Sequence, residues 1–233
     1  MTENKRSRGL VAAAAVLALL MGLSLVALLL HRNGDGSGQA APAATPATSS
    51  PTAASSTPPP ILPPLTAVPT GVTWELFQGV ALPVSRTDGP TAVTGTVHAG
   101  FSRTPTGALL AAAQIAARSI ADPSLPGLRE IGQRQLVPGP GQTAYLNLVN
   151  SFKDNDAPAA GYAQYAGFRY VTYSPDVAVV SLATRGKTGR LQVGTDTLRW
   201  VDSDWKLELP ASALQQPQVV QDLAGYVPWA GVS

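Results

Sequence analysis

Hydrophobic and polar residues follow three different patterns along the 233-residue chain. One uncharged apolar run is followed by a stretch without periodicity, and the remainder alternates between helical and strand-like periods. The pattern therefore predicts a short tail at residues 1–8, a transmembrane helix at 9–30, a disordered linker at 31–71 and one folded domain at 72–233.

The helical period is clearest at residues 105–121. Thr104 suits the N-cap, Pro105 suits the first helical position, and Asp122-Pro123 ends the segment. The apolar stripe of this helix consists of Leu109, Ala112, Ala113, Ala116 and Ile120. Because most of these side chains are small, we expect a sheet to lie closely against this stripe.

The flanking segments are less regular. Shorter helices are predicted at residues 128–136 and 143–152, on either side of a Pro-Gly-Pro-Gly break. Residues 91–101 have the composition of one strand. Pro83 lacks a backbone N–H and argues against a central strand in the apolar segment around it.

From Tyr165 onward the period changes to two, which is typical of strands. The predicted strands cover residues 167–173, 177–184, 190–201 and 205–210. Their short connections favour sequential antiparallel pairing, and the tail carrying Val219 to Trp229 is expected to pack back onto the domain.

This order of elements predicts an α+β domain in which helices pack on a curved antiparallel sheet of about four strands. The arrangement resembles the cone-shaped fold of nuclear transport factor two-like domains. A small β-sandwich or barrel is the alternative.

Composition excludes several kinds of site. The chain has no cysteine, so it holds no disulfide, thiolate metal site or cysteine nucleophile. His31 and His98 are its two histidines, which leaves almost no basis for a multi-histidine metal site. The net charge of +2 comes from residues 1–70, whereas residues 71–233 contain twelve basic and twelve acidic residues. Because the domain is neutral, we expect no direct nucleic-acid partner.

Charges around the apolar run predict the orientation in the membrane. Lys5, Arg6 and Arg8 precede the run, and only Arg32 follows it closely. The positive-inside rule then places the N-terminus in the cytoplasm and the domain outside, as a single-pass protein of the cell membrane. Cleavage of a signal peptide near Ala40 is the alternative. The Pro-, Ala-, Ser- and Thr-rich linker is interpreted as a spacer.

Three short motifs superficially match sites of known chemistry. Ser203 to Lys206 matches S-x-x-K and residues 187–189 match K-T-G, but their order is the reverse of that in penicillin-binding proteins. Residues 186–188 lack the earlier glycine of a phosphate-binding loop. The acidic pairs at 154–156 and 202–204 lack the other features of a calcium loop. We interpret all of them as turns.

The remaining candidates are a histidine and two aromatic residues. His98 stands without a partner in a strand-like segment, so a structural role is expected rather than a general base. Trp200 and Trp205 flank a turn and are predicted to belong to the sheet core, with an aromatic ligand wall as the alternative. The sequence therefore predicts no catalytic, cofactor-binding or metal-binding residue, no cofactor and no enzyme.

One stretch carries a family resemblance. Residues 72–210 resemble a group of uncharacterised actinobacterial membrane proteins associated with conjugative and integrative elements. The positions that carry the resemblance are Trp74, Phe77, Leu82, Pro83, Ser85, Asp88, Gly89, Pro90, Gly100, Phe101, Thr104, Pro105 and residues 107–112.

The overall plan is similar to the bitopic scaffold subunit of type IV secretion systems. That resemblance implies a non-enzymatic assembly protein with protein partners in an envelope complex, and it implies self-association. The strand-rich segment at residues 74–101 departs from the scaffold pattern. A ligand-binding or envelope-sensing domain outside the cytoplasm is the alternative function.

Overall fold

A computed structural model describes residues 64–153, 163–211 and 217–231. The chain order of the elements is β1 (Val72–Phe77), β2 (Val80–Ser85), β3 (Ala92–Thr94), β4 (Val97–Ala99), α1 (Pro105–Ala121), α2 (Leu125–Arg134), α3 (Pro140–Ser151), β5 (Gln164–Tyr173), β6 (Val177–Arg185), β7 (Leu191–Val201), β8 (Asp204–Glu208), β9 (Gln218–Val220) and β10 (Val227–Pro228). The three helices pack against an antiparallel sheet, which confirms the α+β class.

Within the described residues, the largest sheet, called here the main sheet, has six strands rather than the predicted number of about four. Its order is β10-β5-β6-β7-β8, and β9 pairs with the start of β7. Four of these strands, β5 to β8, are those that the period of two predicted. The two additional strands come from the C-terminal tail and are three and two residues long, which is too short to produce a recognisable alternation.

β5 and β8, the outermost long strands of the main sheet, both have backbone neighbours along part of their outer edges. β10 pairs with β5, and the N–H of Trp229 extends the contact by donating to the carbonyl of Ala166 at 3.1 Å. On the other side, the N–H of Leu207 in β8 donates to the carbonyl of Gln135, and its own carbonyl accepts from Val137, both at 2.9 Å. These contacts occupy part of each edge with segments that the strand pattern does not reveal.

Helix α1 begins and ends as the sequence predicts. The Thr104 side chain accepts a hydrogen bond from the N–H of Gly107, and the chain leaves the helix at Asp122. The helix is buried on every side, however, and only Thr106 of its 17 residues is not buried. The main sheet covers one side, and the two N-terminal hairpins contact another. The single apolar stripe is therefore an incomplete description of α1.

The N-terminal segment forms two separate hairpins. β1 and β2 are joined by Gln78 and Gly79, both with positive φ, as a tight type I′ turn requires. The strand predicted at residues 91–101 is instead the hairpin β3–β4, because Gly95 adopts a φ of 58° and reverses the chain. Pro83 lies within β2 of a two-stranded sheet, where a missing N–H is tolerated.

The remaining predictions concern helix bounds and the N-terminal region. The predicted helices at 128–136 and 143–152 correspond to α2 and α3, which begin three residues earlier in each case. The predicted transmembrane helix at 9–30 lies outside the described residues. Among the residues that are described, no helix is both long and apolar enough to cross a membrane.

Candidate functional site

The motifs that superficially match enzymes lie in separate turns. Ser203 is exposed in the type I′ turn between β7 and β8, with a φ of 63°. Lys206 Nζ lies 2.6 Å from the Asp202 carboxylate. Lys187 is exposed in the turn between β6 and β7, at the other end of β7. A nucleophile and its activating base need hydrogen-bond contact, and no such contact joins these residues.

The acidic pair beside that turn has a structural role. Asp204 accepts hydrogen bonds from the backbone N–H groups of Gly100 at 2.8 Å and Phe101 at 3.0 Å. It thereby fixes the end of β4 and the segment before α1 to the main sheet. The pair at 154–156 lies outside the described residues. Within the part of the chain that is described, no group of three or more acidic or histidine residues is placed to hold a metal ion.

A cluster of hydroxyl groups surrounds Asp88 just before α1. Its Oδ1 accepts from Ser102 Oγ at 2.5 Å and from Thr104 Oγ1 at 2.6 Å, and its Oδ2 accepts from Thr87 Oγ1 at 2.9 Å. Burial alone would raise the pKa of Asp88, but these hydrogen bonds outweigh it and lower the pKa. The carboxylate therefore remains ionised and holds the N-cap residue in place.

A buried polar network connects α1 to the first hairpin. Gln114 and Arg118 lie one turn apart and are 0% and 4% exposed. Arg118 donates to the Gln114 side-chain oxygen at 2.8 Å and to Glu75 Oε1 at 2.9 Å, and its guanidinium lies 4.2 Å from the centre of the Phe77 ring. Gln114 donates to the carbonyl of Pro83 at 2.9 Å. These contacts hold β1 and β2 against the helix.

His98 lies beside this network on β4. Its Nδ1 is buried 3.8 Å from Glu75 Oε1 and has no hydrogen-bond partner among the described residues. Burial, assisted by the charge of Arg118 and opposed by that of Glu75, lowers the pKa of His98 to about 4. The imidazole is therefore neutral at neutral pH. Without a hydrogen-bonded nucleophile it lacks the partner that a general base requires.

The two tryptophans flanking the β7–β8 turn differ in their environment. Trp205 is 1% exposed, and its indole N–H donates to the carbonyl of Ser102 at 2.9 Å. Trp200 packs edge-on against Trp205 with ring centres 5.4 Å apart and is only partly buried. Its ring lies 5.4 Å from the guanidinium of Arg103, which also pairs with Asp176. Trp205 belongs to the core, while Trp200 lies at its rim.

Asp196 in β7 is a buried acid for which these structural roles give no account. Asp196 is 6% exposed and lies directly opposite Val180 of β6, on the face that also carries Leu198. We call this face of the main sheet the inner face, because Val180 and Leu198 belong to the hydrophobic core that includes α1. Burial raises the pKa of Asp196 to about 7.

The sequence pattern did not single out Asp196. The signal was nevertheless present, since Asp196 alternates in step with Leu198 and Trp200 along a predicted strand. A charged residue in phase with large apolar residues indicates a carboxyl group on the buried face.

Exposed apolar side chains occur on both N-terminal hairpins. Leu76 of β1 is 75% exposed and Val93 of β3 is 60% exposed. Within the described residues β1 pairs only with β2, so its other edge has no strand neighbour. The first hairpin therefore presents unpaired backbone groups and an apolar side chain together.

Comparison with known families gives a match over most of the chain. Residues 34–228 match the family described as Domain of unknown function (DUF8175). No curated protein and no solved structure matches the chain. The matched range includes most of the predicted linker and extends to the end of β10.

Proposed function

The chain belongs to the DUF8175 family, and from this premise we propose that it is a non-enzymatic, membrane-anchored scaffold protein whose domain lies outside the cytoplasm. We further propose that it serves a conjugation apparatus similar to a type IV secretion system. Its partners would be protein subunits of that envelope complex. The proposal combines the sequence resemblance with the surface of the first hairpin.

The finer fold that we propose is the cone of nuclear transport factor two-like domains. The pairing of β5 with β6 supports it, because the register shifts between Tyr165 and Gly167 and again between Tyr170 and Thr172. Such bulges bend a strand and increase its twist. Two bends in one central strand favour a sheet that curves around α1.

The observation that carries the scaffold proposal is the open edge of β1 beside Leu76. An unpaired edge is a template for adding a strand from another chain. The hairpin is also held rigidly, because Glu75 is tied to Arg118 and Pro83 to Gln114. We propose that an extended segment of a partner subunit adds to β1 and covers Leu76.

Site-specific crosslinking tests this surface in cells that assemble the apparatus. A photo-reactive benzoylphenylalanine at position 76 of the full chain should crosslink to a defined subunit of the transfer apparatus. The matched control is position 144, an exposed alanine on α3, which should give no such product.

A charged substitution tests whether the contact matters. Leu76→Asp should lower the frequency of conjugative transfer at least tenfold, because it places a carboxylate in an apolar interface, and it should leave the melting temperature unchanged. Ala144→Asp should leave both unchanged. Normal transfer by a stably expressed Leu76→Asp variant would contradict the proposed surface.

The non-enzymatic part of the proposal has its own test. Ser203→Ala and Lys187→Ala should support normal transfer, because both side chains lie exposed in turns. Covalent labelling of Ser203 by a fluorescent β-lactam, abolished by Ser203→Ala, would overturn this expectation.

A further inference from the structure

The pairing of β1 with β2 determines which backbone groups the open edge of β1 presents. In an antiparallel pair, opposite residues exchange either two backbone hydrogen bonds or none, and the two kinds alternate along the strands. Leu76 lies opposite Ala81, whose N–H donates instead to the Gln164 side chain at 2.9 Å. Trp74 lies opposite Pro83, which has no N–H. Both pairs are therefore of the kind without hydrogen bonds.

The backbone N–H and C=O groups of Trp74 and Leu76 consequently point away from β2. Within the described residues, no strand pairs with β1 on that side. The two residues together offer two donors and two acceptors in the spacing that an antiparallel strand needs. The residue of such a strand that lies opposite Glu75 would form no backbone hydrogen bond with β1, and its side chain would lie close to that of Glu75.

The two faces of β1 differ beside this edge. On one face Leu76 is 75% exposed, and the ring of Trp74 contacts that of Trp229 with ring centres 4.8 Å apart. On the opposite face Glu75 Oε1 accepts a hydrogen bond from Arg118 of α1 at 2.9 Å. Because side chains of a strand alternate between faces, a strand added here would meet an apolar environment beside Leu76 and a polar one beside Glu75.

The polar environment around Glu75 carries no net charge. The Glu75 carboxylate is balanced by the Arg118 guanidinium, and the lowered pKa of His98 leaves its imidazole neutral at pH 7. Hydrogen-bonding capacity nevertheless remains, because the contacts of Glu75 with the described residues all use Oε1 and the side chain is 41% exposed. A neutral hydroxyl or amide suits this environment, whereas a charged side chain would meet a like charge at either Glu75 or Arg118.

From these observations we propose that the segment that adds to β1 is antiparallel and carries an apolar, a neutral polar and an apolar residue in succession. The central residue is Ser, Thr, Asn or Gln and lies opposite Glu75, and the two apolar residues lie opposite Trp74 and Leu76. This inference rests on the proposed addition of a partner strand to β1, and it specifies the chemistry of that partner.

Short peptides test the pattern on the full chain in lipid nanodiscs. The probe is acetyl-Ser-Gly-Val-Thr-Val-Gly-Ser-amide, and two comparison peptides replace its Thr with Val or Glu. Labelling with ¹⁵N-histidine gives imidazole signals from His31 and His98 alone, and His31→Gln assigns them. His98 Nδ1 lies 3.8 Å from Glu75 Oε1, so its signal reports a side chain placed beside Glu75.

We expect the Thr peptide to shift the His98 signal saturably at millimolar concentration. The Glu peptide should bind about tenfold more weakly, and the Val peptide should also bind more weakly, because neither donates a hydrogen bond to Glu75. Methylating the backbone nitrogens of both valines should abolish binding, since these N–H groups face Trp74 and Leu76. Methylating the Thr nitrogen is the matched control and should be tolerated, because that N–H points away from β1.

Two variants of the chain place the peptide at this edge. Leu76→Asp should weaken binding of the Thr peptide about tenfold, because it puts a charge beside an apolar residue. Ala144→Asp, on the exposed side of α3, should bind the Thr peptide as the unmodified chain does.

Three results would overturn the inference. Equal affinity for the Thr, Val and Glu peptides would refute the pattern while leaving strand addition to β1 intact. Undiminished binding after methylation of both valine nitrogens would refute the hydrogen-bond register. A His98 signal that no peptide shifts would also refute the pattern, and crosslinking from position 76 would then decide separately whether β1 is the docking surface.

Discussion

Two buried titratable residues, His98 on β4 and Asp196 on β7, respond to pH in opposite directions. The pKa of His98 falls from 6.5 to about 4 on folding, so its contribution to stability is complete above pH 6.5 and is lost as the pH decreases towards 4. The pKa of Asp196 rises from 3.8 to about 7, so its contribution is complete below pH 3.8 and is lost as the pH increases through 7. Between pH 4 and 6.5 the two contributions oppose each other.

Replacing one of these residues should therefore reveal the pH dependence that the other gives to the free energy of unfolding. In Asp196→Asn the free energy of unfolding should rise from pH 4 to 6.5, and in His98→Gln it should fall from pH 4 to 7. The slope is at most about 1.4 kcal/mol per pH unit for one group. Urea unfolding at half-unit pH steps, followed by tryptophan fluorescence, measures it. Slopes of the same sign in both variants would contradict this account.

Thr104, also at the scale of single residues, has three hydrogen-bonding partners: the Gly107 backbone, the Asp88 carboxylate and the Ser102 hydroxyl, the last at 2.7 Å. It accepts from the N–H of Gly107 at 3.0 Å and donates to Asp88 at 2.6 Å. Thr104→Ala should cost about 0.5–2 kcal/mol in the free energy of unfolding. Thr106→Ala, two positions further along, is the matched control and should change the stability less. Equal losses in the two variants would show that capping is not the cause.

Single residues differ in how far the sequence reveals their roles. The N-cap at Thr104 can be predicted from local sequence, because Thr is favoured at the N-cap and Pro at the first helical position that follows it. The contacts of Arg118 with Glu75 and of Asp204 with Gly100 bridge 43 and 104 positions. No local pattern encodes such distances, so these residues appear in the sequence only as ordinary polar positions.

At the scale of elements, α1 is the part around which the described domain is built. Its apolar stripe predicts contact with a sheet, and that contact is present. Its second buried side includes Gln114 and Arg118, which a helical pattern would predict to be exposed to solvent. They are buried because β1 and β2 supply their hydrogen-bonding partners. Likewise, β9 and β10 form because they pair with the edges of β7 and β5. These strands depend on tertiary contacts rather than on a local sequence pattern.

Enlarging a small residue of α1 tests the closeness of that packing. Ala113 is 0% exposed, and its carbonyl accepts from Tyr165. Ala113→Leu should destabilise the domain by about 1–3 kcal/mol through overpacking. Ala144→Leu on the exposed side of α3 is the control and should leave the denaturation midpoint nearly unchanged. An undiminished midpoint for Ala113→Leu would mean that the helix is loosely packed.

At the scale of the whole molecule, an anchor at residues 9–30, as the sequence predicts, would give the domain an orientation and a high local concentration. We expect protease added to intact spheroplasts to remove the domain from the anchored protein. Digestion that requires prior lysis would show that the domain faces the cytoplasm instead.

Tethering should also matter for function. A chain reduced to residues 64–233 should fail to support transfer, because it is no longer confined to the membrane surface. Replacing residues 9–30 with an unrelated helix of the same orientation should largely restore transfer frequency. Full activity of the untethered chain would favour a freely diffusing binding protein over a scaffold.

The C-terminal strands have a further consequence for solubility. β10 and β9 cover backbone groups of β5 and β7 that would otherwise be available to neighbouring molecules. A chain that ends at residue 217 would expose both edges together with the aromatic ring of Phe168, which now packs edge-on against Trp229 at 5.5 Å. Light scattering should then detect concentration-dependent aggregates that the complete chain does not form, so the last fourteen described residues protect the sheet from intermolecular growth.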